Sequence, residues 1–137
     1  MRVAMTILTG LMMVLTAHSE IVCALRPAIR EAAARHGVDP VLMEAIIRHE
    51  SANATSSAAR NKNNLAGIMG RRGQRRYESK EACINHLAEI IGNHRAKGRV
   101  TLIQLSRVYC ESHSSWVRGV SYYMNSIRNG KWGNKES

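Results

Sequence analysis

Between Val38 and Ser51 the chain reads VDPVLMEAIIRHES, a stretch with a marked start, an apolar stripe and a carboxylate at its far end. Asp39 is a good N-cap, because its side chain can accept from the unpaired N–H groups of a first helical turn. Pro40 suits the first helical position, where a missing N–H costs nothing. From there Met43, Ile46, Ile47 and Glu50 recur at i, i+3, i+4 and i+7, so the spacing predicts a helix with Glu50 on its apolar face. Glu50 also stands in the last turn, where the helix dipole disfavours another negative charge. Apolar neighbours and the dipole both push a carboxyl pKa upward, as a general acid working near neutral pH requires. A Glu at the fraying end of a solvated helix would show the same spacing, so this stretch alone leaves both readings open.

The neighbouring sequence is also helical in pattern. Leu25, Ile29, Ala32 or Ala33, and His36 follow helical spacing until Gly37, a natural left-handed cap. Ser51 to Met69 has no sustained period and reads as a long loop with at most a turn of helix. A long ordered loop in a small domain is usually functional. Gly70 to Lys80, GRRGQRRYESK, reads as a basic hairpin or flap. Ser79 or Lys80 opens a helix buried through Ile84, Leu87, Ala88 and Ile91. Thr101 with Gln104 forms a capping box for a short helix carrying Leu102, Leu105, Val108 and Tyr109. A last helix starts near Ser114, with Trp116, Val120, Tyr123, Met124 and Ile127 as its stripe. The fold class expected is mainly α: a single domain of about five helices, with residues 51–80 as one wall of a cleft.

Residues 1–24 look like a secretory signal: Arg2, then an uncharged, largely apolar run from Val3 to Ala17. Two small-residue cleavage sites follow, Ala17-His18-Ser19 and Val22-Cys23-Ala24, and the second is preferred. The domain then spans 25–130 and residues 131–137 form a flexible tail. Cys23 is not in a convincing lipoprotein box. Export to an oxidising compartment would allow one disulfide, Cys83–Cys110, with two buried thiols as the alternative. The six His residues are scattered, so no metal site is expected, and no cofactor. Twenty Lys+Arg face ten Asp+Glu, a net charge of +10, which implies an anionic partner.

These stretches together resemble the lysozyme-like superfamily of peptidoglycan hydrolases. VDPVLMEAIIRHES is similar to its catalytic helix, which in lytic transglycosylases ends in a Glu-Ser pair; Glu50-Ser51 stands in that place. NNLAGIMG (63–70) resembles the Asn-Asn-Leu-Phe-Gly-Ile-Lys segment of glycoside hydrolase family 73 glucosaminidases and the Gly-Leu-Met-Gln segment of lytic transglycosylases. RRYESKEACINHLAEII (75–91) and YCESHSSWVRGVSYYMNSI (109–127) resemble later parts of the glucosaminidases. The Phe of their loop is Ala66 here, its Lys is Met69, and the transglycosylase Gln is Gly70.

The resemblance implies a lysozyme-like fold and an exported cell-wall glycosidase, secreted or periplasmic, acting as a monomer on the β-1,4 glycan strands of peptidoglycan. N-acetylglucosaminidase, muramidase and lytic transglycosylase activities all fit. Glu50 is then the general acid. Glycosidases of this chemistry commonly use a second carboxylate, and Glu78 is the candidate, matching the family's aromatic–acidic–Ser stretch. Ser51, Asn64, Gly67, Met69, Tyr77 and Tyr109 are candidate substrate-binding residues: backbone beside Gly67 permits close approach, and the tyrosines would line the cleft. Trp116 is read as core from its place in the stripe. A lytic transglycosylase, or a glycosidase assisted by the substrate's N-acetyl group, would need only one carboxylate. Two other classes compete: a non-catalytic peptidoglycan-binding relative, and a basic helical nucleic-acid-binding protein. The export signal and the absence of a basic helix weigh against the last, so no nucleic acid partner is expected.

Overall fold

The structure is a computed structural model that describes residues 21–109 and 112–133. In chain order the elements are α1 (Arg26–His36), α2 (Pro40–Ser51), α3 (Ser57–Lys62), β1 (Met69–Gly70), β2 (Gly73–Gln74), α4 (Lys80–Ala96), α5 (Leu102–Tyr109) and α6 (His113–Arg128). Residues 21–24 are also helical. The domain is mainly α and of lysozyme-like class.

α2 is central because its apolar stripe meets partners on both sides. Met43, Ala45, Ile46 and Ile47 are fully buried, and α2 packs most extensively on α6, with α1 against its other flank. Each such aliphatic side chain withdrawn from water contributes roughly 1.5–3 kcal/mol. α4 packs on α1 through Ile84, Leu87, Ala88 and Ile91, as the sequence stripe predicts. The start of α2 follows its sequence signal: Asp39 Oδ1 accepts from the Val41 N–H at 2.8 Å. The capping box forms as well, with the Thr101 N–H donating to Gln104 Oε1 at 3.0 Å and the Gln104 N–H donating to Thr101 Oγ1 at 3.2 Å.

The stretch from Ser51 to Met69 carries more order than its composition suggests. α3 spans six residues, and its N-cap Ser56 accepts from the Ala59 N–H at 3.1 Å. Between α2 and α3 the residues Ala52, Asn53 and Ala54 all take positive φ, at 48°, 58° and 69°. Such conformations are unfavourable for residues with a Cβ, and hydrogen bonds hold this turn: Ser51 Oγ accepts from the Ala54 N–H at 2.8 Å, and Arg48 donates to Asn53 Oδ1 at 2.9 Å. The basic segment forms a two-stranded antiparallel hairpin that pairs Met69 with Gln74 and Gly70 with Gly73.

A buried ionic network ties α1, α2 and both ends of the described chain together. Arg26 makes a two-pronged pair with Glu44, with both bonds at 2.9 Å, and Arg48 donates twice to Glu44 Oε1 at 3.0 and 2.8 Å. Glu44 and Arg48 are on one helix face at i, i+4. Trp132 lies under the Arg48 guanidinium, 4.5 Å from ring centroid to Cζ, and Arg26 also donates to the Gly133 carbonyl at 2.9 Å.

Three expectations change here. The tail expected to be loose from Lys131 is held at its start: the Trp132 ring stacks on the Arg48 guanidinium and the Gly133 carbonyl accepts from Arg26; residues 134–137 lie outside the described residues. Val22 and Cys23 precede the boundary read at residue 25, yet Val22 is fully buried and the Cys23 thiol donates to the Trp132 carbonyl at 3.1 Å. Residues 1–20, most of the stretch expected to be a secretory signal (1–24), lie outside the described residues. Finally, Cys83 is a free thiol rather than half of a Cys83–Cys110 bond. It is fully enclosed by the core, its Sγ accepts the Leu65 N–H at 3.3 Å, and burial pushes its pKa up, which keeps it a neutral thiol. Cys110 lies outside the described residues.

Candidate active site

Glu50 sits one residue from the end of α2, half-buried, where α2 crosses α6 and the loop after α3 passes across. Trp116 of α6 is 2% exposed, and its Nε1–H donates to Glu50 Oε1 at 2.6 Å. The other oxygen, Oε2, faces Gly67. A Cβ built on Gly67 would lie 2.9 Å from Oε2, and Gly67 has φ +63°. Only a residue without a side chain meets both conditions at low cost. The bare Cα lets the Glu50 carboxyl lie directly against the loop backbone.

The loop that brings Gly67 there is fixed from two sides. Asn64, buried at 1% exposure, donates through Nδ2 to the carbonyls of Ile68 and Arg75 at 2.8 and 2.9 Å. Its Oδ1 accepts from the N–H groups of Ala66 and Ile68 at 3.3 and 3.1 Å. From the other side the Tyr109 hydroxyl donates to the Ala66 carbonyl. The Tyr109 and Trp116 rings pack at 5.5 Å between centroids, tilted by 36°. Asn64, Tyr109 and Trp116 thus form a scaffold around one carboxyl group.

The electrostatics follow from this enclosure. Burial raises the Glu50 pKa; the Trp116 hydrogen bond and the nearby His49 charge pull it down but do not outweigh burial. Tyr109 is pushed well above the ordinary phenol range, first by burial and then by the Glu50 charge, so it stays a neutral donor. His49 precedes Glu50 and packs on Gly119 of α6; a Cβ at 119 would overlap the imidazole ring. That close approach brings α6, and with it Trp116, up to the end of α2.

The other candidates fall into three groups. Ser51 is fully buried, and its hydroxyl donates to the Ile47 carbonyl while accepting from Ala54. It holds the strained turn after Glu50 and leaves no free group for a sugar. Asn64 likewise spends its amide inside the loop. Met69 is 65% exposed on the hairpin, where its side chain is free of the core. Tyr77 lies within electrostatic reach of Tyr109, beside the scaffold around Glu50. Tyr77 is buried, shares a 2.6 Å hydrogen bond with His86 Nδ1, and is pushed up to about 12, chiefly by burial. Glu78 is exposed and lines a groove of about 530 Å³ with His36, Arg75, Tyr77, His86 and Glu89. Glu78 immediately precedes Ser79, the N-cap of α4.

Trp116 is the functional residue that sequence reasoning missed. Its stripe marked the ring as core, which is correct, but a buried indole N–H needs an acceptor. That acceptor is 66 residues away in the chain. Gly119 and Ala66 were invisible for the same reason, since their roles lie in backbone proximity.

A half-buried carboxyl with a raised pKa and a neutral donor on one oxygen is equipped to deliver a proton to a leaving-group oxygen. Comparison with known proteins agrees. Residues 26–135 match the glucosaminidase family model, described as mannosyl-glycoprotein endo-beta-N-acetylglucosaminidase. The chain belongs to this glucosaminidase family. It is therefore a glycosidase, of a family that acts on peptidoglycan. No curated protein and no solved structure matches the chain. Within the glucosaminidase domain the family match spans all of the residues gathered around Glu50.

Proposed function

We propose that this glucosaminidase cleaves β-1,4 bonds in peptidoglycan glycan strands with Glu50 as general acid. The observation that carries the reading is the Glu50 carboxyl itself: half-buried, enclosed enough to raise its pKa, held by Trp116, and close against the Gly67 backbone. In the first step the proton passes from Glu50 to the glycosidic oxygen while the C–O bond breaks and its electron pair goes to that oxygen. The cationic sugar centre then needs a nucleophile or a stabilising group.

Among the other described acids, Glu31 pairs with Arg35, Asp39 caps α2 and Glu44 is held by two arginines, while Glu81 sits in the first turn of α4 and Glu78 and Glu89 line the groove beside Tyr77. This favours trapping of the sugar centre by the substrate's own N-acetyl group, with Glu50 then acting as base toward water. Closure by the sugar's 6-hydroxyl is the transglycosylase alternative.

The protein is proposed to work outside the cytoplasm as a monomer, where its net charge of +10 would concentrate it on an anionic wall. Of the two cleavage sites, the one after Ser19 is favoured, because it retains Val22 and Cys23. The test compares the protein and its Glu50→Gln variant on purified peptidoglycan, with the released fragments identified by mass. Loss of release in the variant and N-acetylglucosamine reducing ends from the wild type are the expected results. Equal release by both proteins removes Glu50 from the chemistry; 1,6-anhydro ends replace hydrolysis with transglycosylation.

A further inference from the structure

We propose that Trp116 is a positioning residue that divides the work of the two Glu50 oxygens, fixing Oε1 as the acceptor and Oε2 as the oxygen that carries the proton. The inference rests on the reading of Glu50 as the acid, and it adds which oxygen acts and what holds it. In a protonated carboxyl the carbonyl-type oxygen is the better acceptor, and the 2.6 Å bond from the indole N–H makes Oε1 that oxygen. The carboxyl proton is therefore favoured on Oε2, the oxygen that lies against the Gly67 backbone.

The bond also changes character during the reaction. Before transfer, the indole N–H meets a neutral carbonyl-like oxygen. After Oε2 has given its proton to the glycosidic oxygen, the same N–H meets a carboxylate, and hydrogen bonds to charged groups are the stronger kind. Trp116 thus stabilises the state that follows proton transfer more than the state before it, which is what lowers a barrier. Its place is secured by the buried ring, by the Tyr109 ring at 5.5 Å, and by the helix contact at Gly119.

Two experiments test this. The first replaces Trp116 by β-(3-benzothienyl)alanine, which keeps the shape and lacks the N–H. Loss of the donor should lower kcat about ten-fold with KM little changed, because the donor acts after the ground state. It should also move the alkaline limb of the pH–kcat profile to higher pH, because the donor favours ionised Glu50. A ring that serves only as packing would leave both kcat and the limb unchanged in this isosteric variant, and that result overturns the proposal.

The second experiment needs no substrate, so it can fail or succeed independently of the glycosidase reading. The chain has two tryptophans, so two indole N–H resonances are expected, with Trp132 as the internal reference. The Trp116 resonance should shift with pH as Glu50 ionises and should stay fixed in Glu50→Gln. The other titratable groups facing this carboxyl are His49 and Tyr109. Tyr109 remains neutral across the range, and His49→Gln separates the imidazole. A shift that persists in Glu50→Gln and disappears in His49→Gln would assign the response to His49 and sink the proposal.

Discussion

Gly67→Ala is the substitution for which the structure makes the most exposed prediction. Two costs arise, and they separate. The first is backbone: with φ at +63°, an alanine loses about 1–2 kcal/mol relative to glycine in the left-handed region. At about 4 °C per kcal/mol for a domain of this size, the melting temperature should fall by roughly 4–8 °C. The second is local to Glu50. The new Cβ lies 2.9 Å from Oε2, closer than a carbon and an oxygen can sit, so the carboxyl must turn. Turning it stretches the 2.6 Å bond to Trp116. A hydrogen bond to a charged group is worth about 1.5–3 kcal/mol, so kcat should drop by roughly ten- to a hundred-fold. Gly37→Ala is the control: it has the same φ of +63°, with nothing within 4 Å of the added Cβ. It should melt lower by a similar amount and keep full activity. Thermal denaturation and fragment release from peptidoglycan measure the two effects. Full activity in Gly67→Ala, or equal loss of activity in Gly37→Ala, would refute the argument that Gly67 acts through the Glu50 carboxyl.

Glu50→Gln should be more stable than the wild type at pH 7. The folded pKa of Glu50 is raised above its unfolded value, so the folded state holds the proton more tightly and stability falls as pH rises through that interval. The gain should therefore vanish below the ordinary glutamate range, which parallel melts at low and neutral pH would show. Glu44→Ala should cost about 3–5 kcal/mol by denaturant titration, because it leaves the Arg26 and Arg48 guanidinium groups buried without their carboxylate. Ala52→Gly should stabilise by about 1 kcal/mol, since Ala52 is exposed and holds φ at 48° without a Cβ-dependent contact. A chain beginning at residue 25 should unfold more readily than one beginning at residue 20, by roughly 1–3 kcal/mol, because it lacks the buried Val22.

Local signals in the sequence carried much of the fold. The helix around Met43, Ile46 and Ile47 is visible because its cap, its proline and its stripe agree, and all three operate within a few residues. The Thr101–Gln104 box is local for the same reason. What was not visible depends on long-range packing. Ser51 and Asn64 carry the polar groups expected of sugar ligands, but the turn after α2 and the loop before the hairpin consume those groups. The Cys83 thiol is committed to an amide whose position depends on the folded loop.

Glu44 and Glu50 stand on the same helix and show why only one of them is fit to be an acid. Glu44 lies between two guanidinium groups, and both of its oxygens are taken by their N–H donors. It is suited to holding α1, α2 and the chain ends in place. Glu50 has one direct donor, a neutral indole, and burial dominates its environment. A neutral donor supplies direction with less bias toward the charged form than a cation would. That difference follows from what faces each position: arginines at i+4 and across α1 for Glu44, and Trp116 and a glycine for Glu50. Exchanging Trp116 for a cation of similar reach would hold Glu50 in place and still oppose the rise that burial gives its pKa. The enclosure of Glu50 by neutral groups is therefore a requirement of the chemistry, as much as the carboxylate itself.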